Sequence, residues 1–262
     1  KDEGDRQAHE LLTARLRAGR PDDSILSEEG KDDFTRLEAE RVWIVDPLDG
    51  TREFGEVPRT DWAVHVALVV DEVPIVGAVA LPGLGVTLST AEPTRLPTEP
   101  NPTPRMIVSR SRPPAAALHT AEALGAELVE MGSAGAKTMA VIRGECEIYA
   151  HSGGQYEWDS CAPVAVAKAA GCHVSRIDGS ARVSTRAGRA GARSTRIVRR
   201  LSHTGLACRP SAQAPPSEHS QRDTRWLRPA TALRVVADNA VADDVAAAAA
   251  QNPTHSRGRA NE

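Results

Sequence analysis

Cysteine is sparse in this chain of 262 residues. Cys146, Cys161, Cys172 and Cys208 include no Cys-x-x-Cys pair and no clustered His nearby, which excludes a disulfide-stapled miniprotein and disfavours zinc. Cys161 and Cys172 read as small buried residues. Long apolar runs are missing as well. The longest uncharged stretch, residues 73–91, is broken by Pro74, Gly77, Pro82, Gly83 and Gly85, so it reads as strands around a turn and not as a membrane span. There is no N-terminal basic region followed by an apolar core and cleavage site, so the cytoplasm is the expected compartment. Lysine is absent from residues 181–262, which hold fourteen Arg, six acidic residues, eighteen Ala and one aromatic, Trp226.

What is present suits one large globular domain or two small ones, with 40% hydrophobic and 26% charged residues, and excludes a wholly disordered chain. The net charge of −3 joins two compositions: residues 1–180 carry −11, and residues 181–262 carry +8. A basic segment can attract phosphate backbones. With one aromatic and no recognisable nucleic-acid fold, though, a nucleic-acid partner is not expected.

The apolar stripe Ala8, Leu11, Leu12 and Leu16 predicts a helix from Arg6 to about Ala18, with Asp5 as its cap and Gly19-Arg20-Pro21 as its stop. Strands follow at 24–27, 42–45, 62–70 and 74–88, suggesting an α+β unit with an antiparallel sheet over residues 1–95. Residues 92–104 hold five prolines and read as a connecting loop. Strand–helix alternation then predicts an α/β unit over 104–180. Its strands fall at 106–108, 127–129 and 146–150, and its helices at 114–124, 134–143 and 160–170. From Ala181 the periodicity fades, and only 231–250 has helical character. Residues 181–262 are therefore expected to be a disordered tail or the product of a frameshift.

Chemistry is suggested by acids at element ends. Asp46-Pro47-Leu48-Asp49-Gly50-Thr51 follows the strand 42–45, and Pro47 and Gly50 predict a tight turn that aims two carboxylates and the Leu48 carbonyl at one point. Clustered hard oxygens suit Mg²⁺, which shares its shell with water and phosphate. Glu28-Glu29 close the preceding strand, and Asp159 opens the helix 160–170, with Pro163 expected in its first turn. Singly, each of these acids reads as a polar turn or a helix cap. The combination says more.

Taken in order, Asp5, Glu28-Glu29, Asp46-Pro47-Leu48-Asp49-Gly50-Thr51 and Trp158-Asp159, with eleven residues before Gly171-Cys172, resemble a known pattern. It is that of the lithium-sensitive, magnesium-dependent phosphatase superfamily of inositol monophosphatases, fructose-1,6-bisphosphatases and 3′(2′),5′-bisphosphate nucleotidases. The resemblance covers about residues 1–180 and departs at Cys172, where the family has a second Gly. It implies a layered αβαβα sandwich, incomplete at both ends, and a phosphate monoester hydrolase. By the same resemblance Glu28, Asp46, Asp49, Asp159 and the Leu48 carbonyl hold two or three Mg²⁺, with Asp5 as an outer ligand through water. Thr51 with Glu28 orients and deprotonates the attacking water, Asp49 serves catalysis as a metal ligand, and backbone N–H groups at Gly50 and Thr51 receive the phosphate.

Within that superfamily, Val42–Phe54, the run Gly132-Ser133-Ala134-Gly135-Ala136-Lys137 and Gly153–Asp159 are similar to the bacterial CysQ-type nucleotidases. Ser152 stands six residues before Trp158, where inositol enzymes carry a sugar-binding Glu. The substrate so implied is adenosine 3′,5′-bisphosphate or its sulfated form, cleaved at the 3′-phosphate. An inositol or fructose phosphate is the alternative, and an inactive remnant with a basic nucleic-acid-binding tail the alternative of another class. Lys137 is a candidate for the second phosphate or a surface residue. Ser109 and Ser133 are candidate phosphate donors or helix caps, and His151 a rim residue. The partners expected are a small-molecule phosphate ester and at most a second copy of the chain, with no membrane. Relatives have a helix leading into Asp5, whereas this chain begins at Lys1, so a fragment or a misplaced start is expected.

Overall fold

Glu3, Asp5 and Glu10 flank Arg6 near the start of helix α1 (Asp2–Gly19), where acidic groups favour a helix N-terminus. Arg6 also bridges Glu3 at 2.5 Å and Glu10 at 2.7 Å. The helix thus begins four residues before the predicted Arg6. Asp5 lies inside its first turn and does not cap it. The computed structural model describes residues 2–32, 34–98, 101–152, 155–176 and 195–198.

Five strands make the first sheet in the order β1 (Ser24–Ser27), β2 (Arg41–Asp49), β3 (Ala63–Val70), β4 (Val73–Leu81) and β5 (Val86–Ser89). The sheet is antiparallel as expected except at β1, which runs parallel to β2. The connection 28–40 is long enough to return the chain to the same end. Ala8, Leu12 and Leu16 of α1 pack against Trp43, Val45, Val64 and Val66 on one face of this sheet. Its other face is also covered, which is why β3 reads as an almost continuous apolar run.

The second sheet has the order β7 (Glu127–Met131), β6 (Arg105–Ser109), β8 (Ile148–His151), β10 (Thr195–Val198) and β9 (His173–Arg176). Helices α4 (Ala134–Ile142) and α5 (Glu157–Ala169) share one core with both sheets. Every residue of α4 is buried, as befits a helix between two sheets. On the far face of the second sheet, α3 (Ala115–Leu124) places Ala117 and Ala121 against Met106, Val108 and Ile148. The layers are therefore helix, sheet, helices, sheet, helix, the αβαβα sandwich. Residues 92–98 and 101–104 between the two sheets form no helix or strand. No helix among the described residues is long and apolar enough to cross a membrane.

Two expectations need correction. Residues 195–198 are not structureless: Thr195–Val198 is a strand paired antiparallel with both β8 and β9, and Ile197 is 1% exposed. The run Thr-Arg-Ile-Val has the β-branched residues a sheet interior favours, in a segment whose overall composition hides them. The region 231–250 and Cys208 lie outside the described residues. Pro163 sits at the seventh position of α5, well inside the helix, because α5 starts at Glu157 and not at Ser160.

Candidate active site

The site starts at a flaw in β2. Its register with β3 runs Asp46 to His65 and then Asp49 to Ala63, so Pro47 and Leu48 bulge from the ladder. Pro47 has no N–H to offer a neighbouring strand. The predicted tight turn is thus a bulged strand end, and the reversal comes at Gly50, whose φ is +89°. A side chain there would be strained by that φ, and its Cβ would lie 3.1 Å from that of Ser133. The bulge brings carboxylate oxygens of Asp46 and Asp49 and a ring nitrogen of His65 within 4.8 Å of one another, all three residues buried.

Each aspartate of the site is tethered by one oxygen. In Asp46, Oδ1 accepts the Leu48 N–H at 3.1 Å, while Oδ2 is buried without a donor. In Asp49, Oδ2 accepts the Ser133 hydroxyl at 2.6 Å and the Gly135 N–H at 2.7 Å. In Asp159, Oδ2 accepts the Tyr156 N–H at 2.6 Å in a capping box that starts α5. Glu28 continues the pairing of β1, its N–H bound to the Val45 carbonyl at 3.1 Å, and its carboxyl lies beside that of Asp46.

Burial, and then the neighbouring Asp49, Glu28 and Asp159, push the Asp46 carboxyl well above the usual range. Burial and then Asp49 raise Asp159 to about 7. Glu28 is also raised, by burial first and then by Glu29 and Asp49. For Asp49, burial would raise the carboxyl, but the hydrogen bond and charge of His65, with Lys137 and Ser133, bring it down. Asp46 and Asp49 are buried, Asp159 is half-buried and Glu28 is exposed, and the three raised acids resist ionising beside Asp49 unless a cation joins them. The residues fit a hard divalent cation: the buried, donor-free Asp46 Oδ2 sits among carboxylates that each keep an oxygen beyond their tether.

The other candidates fall as follows. Thr51 opens the short helix α2 (Thr51–Phe54) and donates its hydroxyl to the Leu48 carbonyl at 3.2 Å. Asp5 is buried in α1, apart from the close group of Asp46, Asp49 and His65. Ser133 caps α4 by accepting the Ala136 N–H at 2.9 Å, and its one hydrogen goes to Asp49. Ser109 accepts the Arg112 N–H at 3.3 Å. Lys137 is no surface residue. It is 5% exposed, its Nζ donates to the Gly132 and Ser133 carbonyls, and burial lowers its pKa. A cleft of about 530 Å³ runs from Asp49, Thr51 and Asp159 to Ser109, Arg110 and Arg112.

A model of the inositol monophosphatase family matches residues 2–210 of the chain. The chain belongs to that family. The match runs beyond Ser180, where the sequence resemblance was expected to stop, and takes in β10. Among relatives, the chain is 49% identical over 190 residues to 3′-phosphoadenosine 5′-phosphate phosphatase of Mycobacterium bovis, covering 68% of this chain and 69% of that one. It is 35% identical over 181 residues to 3′(2′),5′-bisphosphate nucleotidase CysQ of Escherichia coli, covering 64% of this chain and 72% of that one. The solved structure of CysQ from Bacteroides thetaiotaomicron, an inositol monophosphatase family member, superposes with a TM-score of 0.61 at 27% identity, over 74% of this chain and 82% of that one.

In this family member the sequence reading missed His65. It is 0% exposed, with Nδ1 2.9 Å from the Trp158 carbonyl and Nε2 3.2 Å from Asp49 Oδ2. A carbonyl only accepts, so Nδ1 carries a hydrogen. Burial alone would lower the His65 pKa, but Asp49 and the Trp158 carbonyl outweigh it and the net direction is up. The ring ties β3 to the start of α5 beside Asp159. It lies where a Cβ on Gly135 would come within 2.0 Å of Nε2, so His65 requires glycine at 135. The available signal was a lone His in an otherwise apolar strand, two residues before Ala67, with a glycine at the start of α4.

Proposed function

We propose that this chain is a Mg²⁺-dependent phosphatase that removes the 3′-phosphate of adenosine 3′,5′-bisphosphate, or of its sulfated form, by attack of water. The observation that carries this reading is the buried group Asp46, Asp49 and His65, of which Asp49 reaches the cleft, in a chain 49% identical to proteins named 3′-phosphoadenosine 5′-phosphate phosphatase. Glu28, Asp46, Asp49, Asp159 and the Leu48 carbonyl would hold the divalent ions, with Asp5 outside them. Such ions neutralise an anionic ester, acidify bound water and stabilise the departing alkoxide.

The chain's own residues do the rest. Ser133 and Gly135 hold Asp49 by Oδ2, and Tyr156 holds Asp159, so the floor stays in one arrangement before substrate arrives. Glu28 takes the proton of the attacking water, and Thr51, steadied on the Leu48 carbonyl, orients that water. The N–H groups of Gly50 and Thr51 receive the phosphate oxygens.

Phosphate release from adenosine 3′,5′-bisphosphate, inositol 1-phosphate and fructose 1,6-bisphosphate, measured side by side with Mg²⁺, tests the reading. The adenosine bisphosphate is expected to be hydrolysed best. Preference for either sugar phosphate would overturn the substrate.

A further inference from the structure

A bisphosphate brings two anionic groups into the cleft, and the acidic floor can hold only the one that ions bridge. Arg52, Arg110, Arg112, Lys137 and His151 line the cleft and could meet the other. Most of them are already engaged. Arg110 lies 2.8 Å from Glu53 and 2.9 Å from Glu56, so two carboxylates offset its charge. Arg52 lies 3.2 Å from Glu56. Lys137 is buried and directs its Nζ to two backbone carbonyls. His151 lies against the Tyr149 ring, with ring centroids 6.4 Å apart.

Arg112 differs from these. It is exposed on the cleft wall and forms no ion pair with any described carboxylate. Its backbone is nonetheless fixed, since its N–H is held by Ser109 Oγ at 3.3 Å and Pro113 and Pro114 follow. A guanidinium presents a planar fork that matches two oxygens of a phosphate.

We propose that Arg112 binds the phosphate that is not cleaved, and so makes the cleft select adenosine 3′,5′-bisphosphates over 3′-monophosphates. This rests on the phosphatase reading above. It assigns specificity to the one cleft arginine whose charge no described carboxylate offsets, and leaves the acidic floor to the chemistry.

The test compares kcat/KM for adenosine 3′,5′-bisphosphate and adenosine 3′-monophosphate in the full chain and its Arg112→Ala and Arg112→Lys variants. It also measures binding of adenosine 5′-monophosphate and adenosine by calorimetry. Arg112→Ala is expected to lose about 10- to 100-fold on the bisphosphate, chiefly through KM, with the monophosphate unchanged, as for loss of a charge-assisted hydrogen bond. Arg112→Lys should fall between. Equal losses on both substrates, or none on the bisphosphate, overturn the proposal. If the unmodified chain hydrolyses neither substrate, the phosphatase reading falls. Arg112 is then judged by binding: it stands if adenosine 5′-monophosphate binds more tightly than adenosine and Arg112→Ala erases the difference, and it falls otherwise.

Discussion

In the acidic floor beneath the cleft, Asp46, Asp49 and Asp159 are each held through one oxygen by a backbone N–H or a hydroxyl. At the rim, Arg52 and Arg110 are held by carboxylates of α2 and the loop after it, and Arg112 by its backbone alone. The floor is largely buried and crowded with one sign of charge, while the rim is more exposed and mostly neutralised. Damage at the floor should therefore abolish function, whereas damage at the rim should change preference and leave the chemistry.

The largest effect is expected from Asp49→Asn. Its side chain can keep the contacts with Ser133 and Gly135 but loses the charge an ion needs, so Mg²⁺-dependent phosphate release should drop by about 10³-fold or more, several kcal/mol of transition-state stabilisation. Circular dichroism should show the fold retained. Equal rates in the variant and the unmodified chain would sink the site assignment.

Next is Gly135→Ala, whose Cβ would come within 2.0 Å of His65 Nε2. Overpacking of this kind should cost about 1–3 kcal/mol in urea unfolding. Adding His65→Ala should recover part of that loss, because the two positions share one space. Strictly additive losses would show that the pair is not coupled.

The ion-free floor also predicts a pH effect. Asp159 is raised to about 7 in the folded chain, so the folded state binds more protons than the unfolded state from the ordinary carboxylate range up to about 7. Stability from this group is greatest at the acid end and is lost as pH rises. His65, also raised, acts in the same direction, its contribution being full below its unfolded pKa and lost above the folded one. With chelator present, the melting temperature should therefore fall by a few degrees from pH 6 to pH 8. Saturating Mg²⁺ should flatten or reverse that slope, and an unchanged slope would count against cation binding at these acids.

The smallest effect concerns Cys146, which is 1% exposed and whose thiol burial pushes up to about 11. It should react with a thiol reagent at pH 8 far more slowly in the native chain than in denaturant. Equal rates in the two states would contradict its burial.

Much of this was legible in the order of residues. The strand Ser24–Ser27 and the helix Ala115–Leu124 were readable because apolar spacing and flanking Gly or Pro are local signals. The acids Asp46 and Asp49 were readable because they lie three residues apart in one motif. Strand β10 was not. Its four residues sit in a segment whose bulk composition points elsewhere, and its partners β8 and β9 lie 19 or more residues earlier in the chain. The tethers Ser133 and Gly135 were hidden for the same reason, being more than 80 residues from Asp49.

The sequence by itself determined which groups of this chain are charged, where the apolar periods lie, and that acids gather at the ends of elements, since those are properties of neighbours along the chain. Only the tertiary structure decided which oxygen of each aspartate is tethered, that His65 spans the space Gly135 leaves, and that Arg110 meets two carboxylates while Arg112 pairs with no described one. Those outcomes depend on contacts across the two sheets. They are set by packing, which brings distant residues within a few ångströms and which no local pattern encodes.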